Sequence, residues 1–283
     1  MVTERPQLDA LPAVEVVRLL LGAEERVVPA VRARAAELAA GAELIAQRMR
    51  GGGRLVFAGA GTSGRLAVAE AAELPGTFGL DRRLVQARVA GGEGSTDSDE
   101  DDLRGAGRDL AQLAIASPDV LVAVAASGRT PYTLAIARAA RDAGAALIAV
   151  VNAPGSPLAE LADVAIAVPV GEEVLHGSTR LTAGTAQKVT LNALTTTAMA
   201  LFGRIHGDLM IDVEGANAKL RDRSAAIVAE IAGSEHAEAV RALAACEGNA
   251  RAAVLHLSLG LAPDEAAERA ANHHTLRAAL RGS

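Results

Sequence analysis

The chain has 283 residues, half of them hydrophobic, with 28 Lys and Arg against 34 Asp and Glu for a formal charge of −6; that is ample material for a globular core. With no Trp, one Tyr, three Phe and an acidic balance, it offers nucleic acid neither a base-stacking platform nor a phosphate-backbone footprint. No apolar run approaches the ~20 residues of a membrane span, the start Met1-Val2-Thr3-Glu4-Arg5-Pro6 lacks a signal-peptide pattern, and the single Cys246 excludes an internal disulfide and suits a reducing cytoplasm.

Residues 11–22 and 24–50 read as two helices, the second rich in Ala, Glu and Arg at helical spacing. Gly51-Gly52-Gly53 stops it, because three glycines lose too much backbone entropy to continue. Short β-branched runs follow at Leu55–Ala58, Leu84–Val89, Val120–Ala125, Leu147–Val151 and Val164–Val168. Helical segments lie between most of them, at 64–73, 103–115, 131–143 and 156–162. Strands apolar on both faces and alternating with helices predict a parallel sheet covered on both sides. Right-handed crossovers make it a doubly wound, mainly parallel five-stranded α/β layer. A long helix is expected at 182–203 and another at about 215–232. Residues 235–246, 249–257 and 264–281 then read as a small three-helix subdomain. The expected divisions are N-terminal helices over 1–50, the α/β domain over 51–233 and the helical tail over 234–283. The acidic run from Asp97 to Asp102 reads as a solvated loop capping the helix at 103, or as part of a site.

In an open parallel sheet, ligands bind beyond the carboxyl ends of the strands. Two of those ends carry similar loops, Gly59-Ala60-Gly61-Thr62-Ser63-Gly64-Arg65 and Ala126-Ser127-Gly128-Arg129-Thr130-Pro131. Each joins a strand to a helix through glycines and hydroxyls, so backbone N–H groups, Oγ atoms and a helix N-terminus all favour a phosphate. The first loop also matches G-x-G-x-x-G. The second strand, however, ends Ala87-Arg88-Val89-Ala90-Gly91-Gly92, with no carboxylate before Glu93 to hold a ribose. One phosphate gripped by both loops fits better than a dinucleotide. A third stretch, Gly171 to Arg180, adds hydroxyls and leads to Gln187 and Lys188. Glu70 and Glu73 are three apart and share a helix face, and Leu74-Pro75 is expected to end that helix just after Glu73. His273-His274 look like a metal pair, but adjacent helical residues point about 100° apart, so they read as surface histidines. His176 lies between two candidate binding segments. Cys246, Met199, Met210 and Phe202 read as core.

Taken together, Arg54–Gly79, Ala126–Tyr132, Gly171–Lys188 and Leu209–Arg223 resemble the N-acetylmuramic acid 6-phosphate etherases of the sugar-isomerase (SIS) phosphosugar-binding superfamily. GAGTSGRL with ELPGTFG and GSTR with AGTAQK carry the likeness, which spans nearly the whole chain. The resemblance implies a SIS fold and a cytoplasmic homodimer with sites near the subunit boundary. It also implies elimination of D-lactate from the phosphosugar followed by hydration, with no metal and no redox cofactor. It makes Glu73 the acid that helps lactate depart and Glu100, aligned on Glu100-Asp101-Asp102, the base at C2; Asp97 falls where the family has an earlier glutamate. Gly61, Thr62, Ser63, Ser127, Gly128, Arg129, Thr130, Glu173, Ser178 and Thr179 become the substrate- and phosphate-binding set. The chain departs from its relatives in reaching Glu100 about four residues sooner after Gly91-Gly92, and in Glu172, His176 and Thr182. Two other activities fit the same loops: a phosphosugar-sensing regulator without catalysis, and a sugar-phosphate isomerase, which needs one base and no leaving-group acid.

Overall fold

The computed structural model describes residues 6–94, 96–213 and 217–281. Three helices open the chain, α1 (Ala13–Glu24), α2 (Val27–Arg32) and α3 (Ala35–Arg50). The expected helix over 24–50 is therefore two, broken at Ala33-Arg34, where Arg34 leaves helical geometry at φ −108° and ψ 22°. The central layer follows as β1 (Leu55–Gly59), α4 (Gly61–Phe78), β2 (Val85–Val89), α5 (Leu103–Leu113), β3 (Val120–Ala125), α6 (Pro131–Asp142), β4 (Ala146–Val151), α7 (Pro157–Leu161) and β5 (Val164–Ala167). The long α8 (Thr182–Phe202) leads to a small hairpin, β6 (Ile205–His206) and β7 (Leu209–Met210). The chain closes with α9 (Ala218–Ala232), α10 (His236–Ala245), α11 (Ala250–Leu259), α12 (Pro263–Asn272) and α13 (Leu276–Arg281).

The sheet order is β2-β1-β3-β4-β5, all parallel, which is the doubly wound α/β layer read from the sequence. Alternation along the strands divides the core in two. Leu55, Phe57, Val120, Val122, Ile148 and Ile166 face α3, α4 and α8, while Val56, Ala58, Leu121, Ala123, Leu147 and Ala149 face the side of α5, α6 and α7. Both faces of β1, β3 and β4 are dry, so these strands need no polar positions, while the edge strand β2 carries Gln86 and Arg88. At the amino edge of the sheet, nearly buried Asp119 accepts from the backbone N–H of Arg54 and of Ala116 and pairs with the Arg54 guanidinium at 2.6 Å.

α4 departs from the expectation that Pro75 would end it. The helix runs on to Phe78 and stops at Gly79, which takes the left-handed conformation. Proline removes one helical hydrogen bond but its fixed φ suits the helix, and buried Leu74, Pro75 and Phe78 hold the last turn against the core. Ile227 and Val228 of α9 share a hydrophobic cluster with Ala239, Leu255 and Ala266 of the tail. The last expected helix is two, α12 and α13, separated at His273-His274.

Candidate active site

The pairing of Gly59 with both Val89 and Val124 brings the ends of β1, β2 and β3 level, and Ala125 pairs with Val151 of β4. The loops that leave these strands therefore sit on one rim. At the first loop, β1 and α4 approach so closely that a Cβ on Gly64 would lie 2.6 Å from the Gly59 carbonyl oxygen. The two glycines let strand and helix touch. Ser63 is nearly buried in the first turn of α4, and Thr62 lies beside Gly184 of α8. In the second loop Ser127 and Arg129 are exposed, Thr130 is half-buried, and the Arg129 N–H donates to Ser127 Oγ at 3.2 Å. Gly128 has φ +61°, and a Cβ there would collide with Ser156 Oγ. Pro131 opens α6 at a position that needs no N–H. Behind this loop, buried Tyr132 donates to Asp109 Oδ2 at 2.5 Å. Desolvation, then that bond, pushes its phenol well above the usual range.

The acidic run is neither a loop nor wholly solvated. Residues Asp97–Asp101 make one tight helical turn, and Asp99 accepts from the Thr96 backbone N–H at 2.6 Å and from Thr96 Oγ1 at 2.9 Å. The turn carries Glu100 back over the first loop: a Cβ on Gly61 would lie 2.6 Å from Glu100 Oε1. The shorter connection thus still delivers Glu100 to the glycine loop at the α4 N-terminus. Asp102 begins α5, and the Gly105 N–H, against some desolvation and with help from Arg108, holds its carboxyl below the usual range. The side chains of Glu93 and Asp97 and residues 214–216 lie outside the described residues.

Glu73 is elsewhere. It lies twelve residues beyond Gly61 on α4, about 18 Å of helix, and its side chain is 68% exposed. Within one chain the two carboxylates are therefore separated by several times the bond they would have to flank. The third stretch divides as well. Ser178 and Thr179 sit in the turn before α8, half-buried and exposed respectively. Glu173, expected in the substrate-binding set, accepts from the Thr182 N–H at 3.0 Å and the Ala183 N–H at 2.9 Å. It caps α8, where a carboxylate meets the helix dipole favourably.

Three features escaped the sequence reading. Ser156, after β4, is buried, and its Oγ has no hydrogen-bond partner among the described residues; the signal was Ser156-Pro157, the same hydroxyl-proline helix start as Thr130-Pro131. Asn152 accepts from Gln187 Nε2 at 3.0 Å and donates to the Val168 carbonyl at 2.9 Å, tying the β4 loop to α8. Lys188 reaches α4 to bond buried Glu70 at 2.7 Å. A cavity of about 830 Å³ lies away from the rim, between the α4 and α8 ends and the tail, lined by Arg82, Arg204, Asp212, Arg251 and His273 among others. Its Arg204 and Arg251 are both committed to Asp212. His273 and His274 lie in the turn after α12, and His273 Nδ1 contacts the Arg269 carbonyl at 2.9 Å. Met199 and Cys246 are core, and burial pushes the Cys246 thiol up. Among the described residues, no three His, Cys, Asp or Glu side chains gather as metal ligands would.

The comparison with known proteins agrees with this architecture. The family model described as SIS domain matches residues 23–152. An N-acetylmuramic acid 6-phosphate etherase of Rubrobacter xylanophilus is 43% identical across 99% of this chain and 96% of its own. One from Streptomyces avermitilis is 44% identical across 98% and 91%. Among solved structures, a Bacteroides fragilis protein assigned as a phosphosugar isomerase is similar in fold, with a TM-score of 0.54 and 23% identity over 69% of this chain and 98% of that one.

Proposed function

We infer the division of labour in this site from one premise: the chain belongs to the N-acetylmuramic acid 6-phosphate etherase family and is an enzyme that cleaves the ether of that phosphosugar. The phosphate docks at the rim, on the hydroxyls of Thr62, Ser63, Ser127 and Thr130, the backbone N–H groups around Gly61 and Gly128, the Arg129 guanidinium, and Ser178 and Thr179 from the α8 side. Donors of this kind at two helix N-termini suit a dianion. Glu173 serves the site indirectly, by holding the start of α8.

In the ring-opened sugar the C1 aldehyde acidifies the C2 proton. The Glu100 carboxylate takes that proton, the C3–O bond breaks, and Glu73 gives a proton to the departing lactate oxygen. Water then adds its oxygen to C3 while a proton returns to C2, leaving N-acetylglucosamine 6-phosphate and D-lactate. Each proton transfer by a positioned carboxyl contributes about 10²–10⁴-fold. The observation that carries this reading is Glu100 Oε1 lying against Gly61 in the phosphate loop.

Because Glu73 stands so far down α4, a complete site takes Glu73 from a second copy, and we propose a homodimer. The exposed stripe Val14, Val17 and Leu21 on α1, a helix with no buried residue, supplies an apolar face for that assembly. No helix among the described residues is long and apolar enough to cross a membrane. The phosphorylated substrate and the lone thiol of Cys246 fit a cytoplasmic enzyme.

The test is incubation with N-acetylmuramic acid 6-phosphate in D₂O. The expected products are D-lactate and N-acetylglucosamine 6-phosphate carrying one deuterium at C2. Tight sugar-phosphate binding without lactate would instead favour a regulator, and lactate without C2 deuterium would remove the elimination step.

A further inference from the structure

The long α8 carries a single charged side chain, Lys188, and it is spent on α4. Its Nζ lies 2.7 Å from Glu70 Oε2 and 3.7 Å from Glu73 Oε2. Glu70 is only 4% exposed, and its other oxygen accepts from Thr195 Oγ1 at 2.6 Å. Thr195 is itself buried, and its hydroxyl also lies 3.0 Å from the Leu191 carbonyl one turn back. A buried carboxylate costs free energy unless it is paired and hydrogen-bonded, and Glu70 is both. Its two partners come from the same face of α8, so the ammonium has a fixed anchor on one side. On the other side it faces a carboxylate without comparable support: Glu73 is 68% exposed, and Lys188 is its ion-pair partner among the described residues.

From this relay we propose that Lys188 is a positioning residue for Glu73, held in place by the Glu70–Thr195 pair. The inference rests on the reading that Glu73 delivers the proton to the leaving lactate. The chemistry needs the carboxyl aimed at one ether oxygen, and an exposed glutamate has several free rotamers. An ammonium fixed 3.7 Å away narrows them at modest cost, since surface pairing alone adds little stability. The buried half of the relay therefore serves orientation, and the same arrangement explains why a glutamate is kept in the core one turn before Glu73.

A double-substitution cycle tests this on the full-length enzyme. Lys188→Met is expected to lower kcat about tenfold or more, as misplacement of a reacting group does, with KM nearly unchanged and the melting temperature lowered, because buried Glu70 loses its ion pair; Lys188→Arg, which keeps the charge, should recover part of both losses. Added to Glu73→Gln, Lys188→Met should cost almost nothing further, because a group that acts only through Glu73 has nothing left to orient. Thr195→Val should lower kcat in the same direction by a smaller factor. Losses that multiply in the double variant would overturn the proposal, as would a raised KM at constant kcat, which would make Lys188 a substrate ligand. A wild-type enzyme that releases no lactate would instead remove the role of Glu73 on which the inference stands.

Discussion

Ser63 is nearly buried at the start of α4 while Ser127 is exposed at the rim, so in the proposed site the two hydroxyls would meet a phosphate from different depths. Ser63→Ala and Ser127→Ala are each expected to weaken binding of the phosphosugar by about 1–3 kcal/mol, the worth of a hydrogen bond to a charged group, read by calorimetric titration with kcat changed far less. Gly61→Ala should act on turnover instead. The new Cβ would lie 2.6 Å from Glu100 Oε1, at a residue whose φ is +52°, and must displace the Glu100 side chain, the proposed base. At this scale the pattern of glycines and hydroxyls at the strand ends was legible as chemistry that suits an anion. The Lys188–Glu70 contact was not legible, since residues 70 and 188 meet only through the packing of α4 on α8.

Elements were read well where one period dominates. The five strands stand within a residue or so of their expected places because short β-branched runs bounded by turn signals mark strands, the interior β1, β3 and β4 being apolar on both faces. Helix ends were read less well. Pro75 looked like a terminator, yet tertiary burial of Leu74 and Phe78 carries α4 past it. At the other edge of the sheet, Asp119 joins β3 to β1 through Arg54. Desolvation opposes its ionisation, but the Arg54 guanidinium and the N–H groups of Arg54 and Ala116 outweigh that and hold its carboxyl below the usual range. A depressed carboxyl stabilises the fold at pH above its unfolded value, about 4, and this contribution fades as pH falls through the lower folded value. Asp119→Asn should therefore cost about 3 kcal/mol at neutral pH, as breaking a buried pair does. It should also flatten the loss of stability below about pH 4; an unchanged acid slope in urea titrations would assign that loss to other carboxyls.

At the scale of the whole molecule, the distance between Glu100 and Glu73 is the informative quantity, and no sequence pattern could supply it. Both residues fit their motif positions, yet helix geometry sets them apart in one chain. A dimer that shares sites makes a sharp prediction. Mixing Glu73→Gln with Glu100→Gln, each nearly inactive, should restore up to about a quarter of wild-type turnover after subunit exchange, because each mixed dimer regains one intact site. Val17→Asp with Leu21→Asp should shift the sedimenting species toward monomer and remove turnover with it. The tail packs on the ends of α4 and α8 through Asp212, Arg204 and Arg251, and its cavity is the obvious rival for an anion. The most direct test of where the phosphosugar binds is a crystal of the Glu100→Gln enzyme grown with N-acetylmuramic acid 6-phosphate. The phosphate is expected within hydrogen-bonding reach of Ser63 and Ser127, with C2 beside residue 100; a phosphate seated on Arg204 and Arg251 instead would contradict that placement and the mechanism built on it.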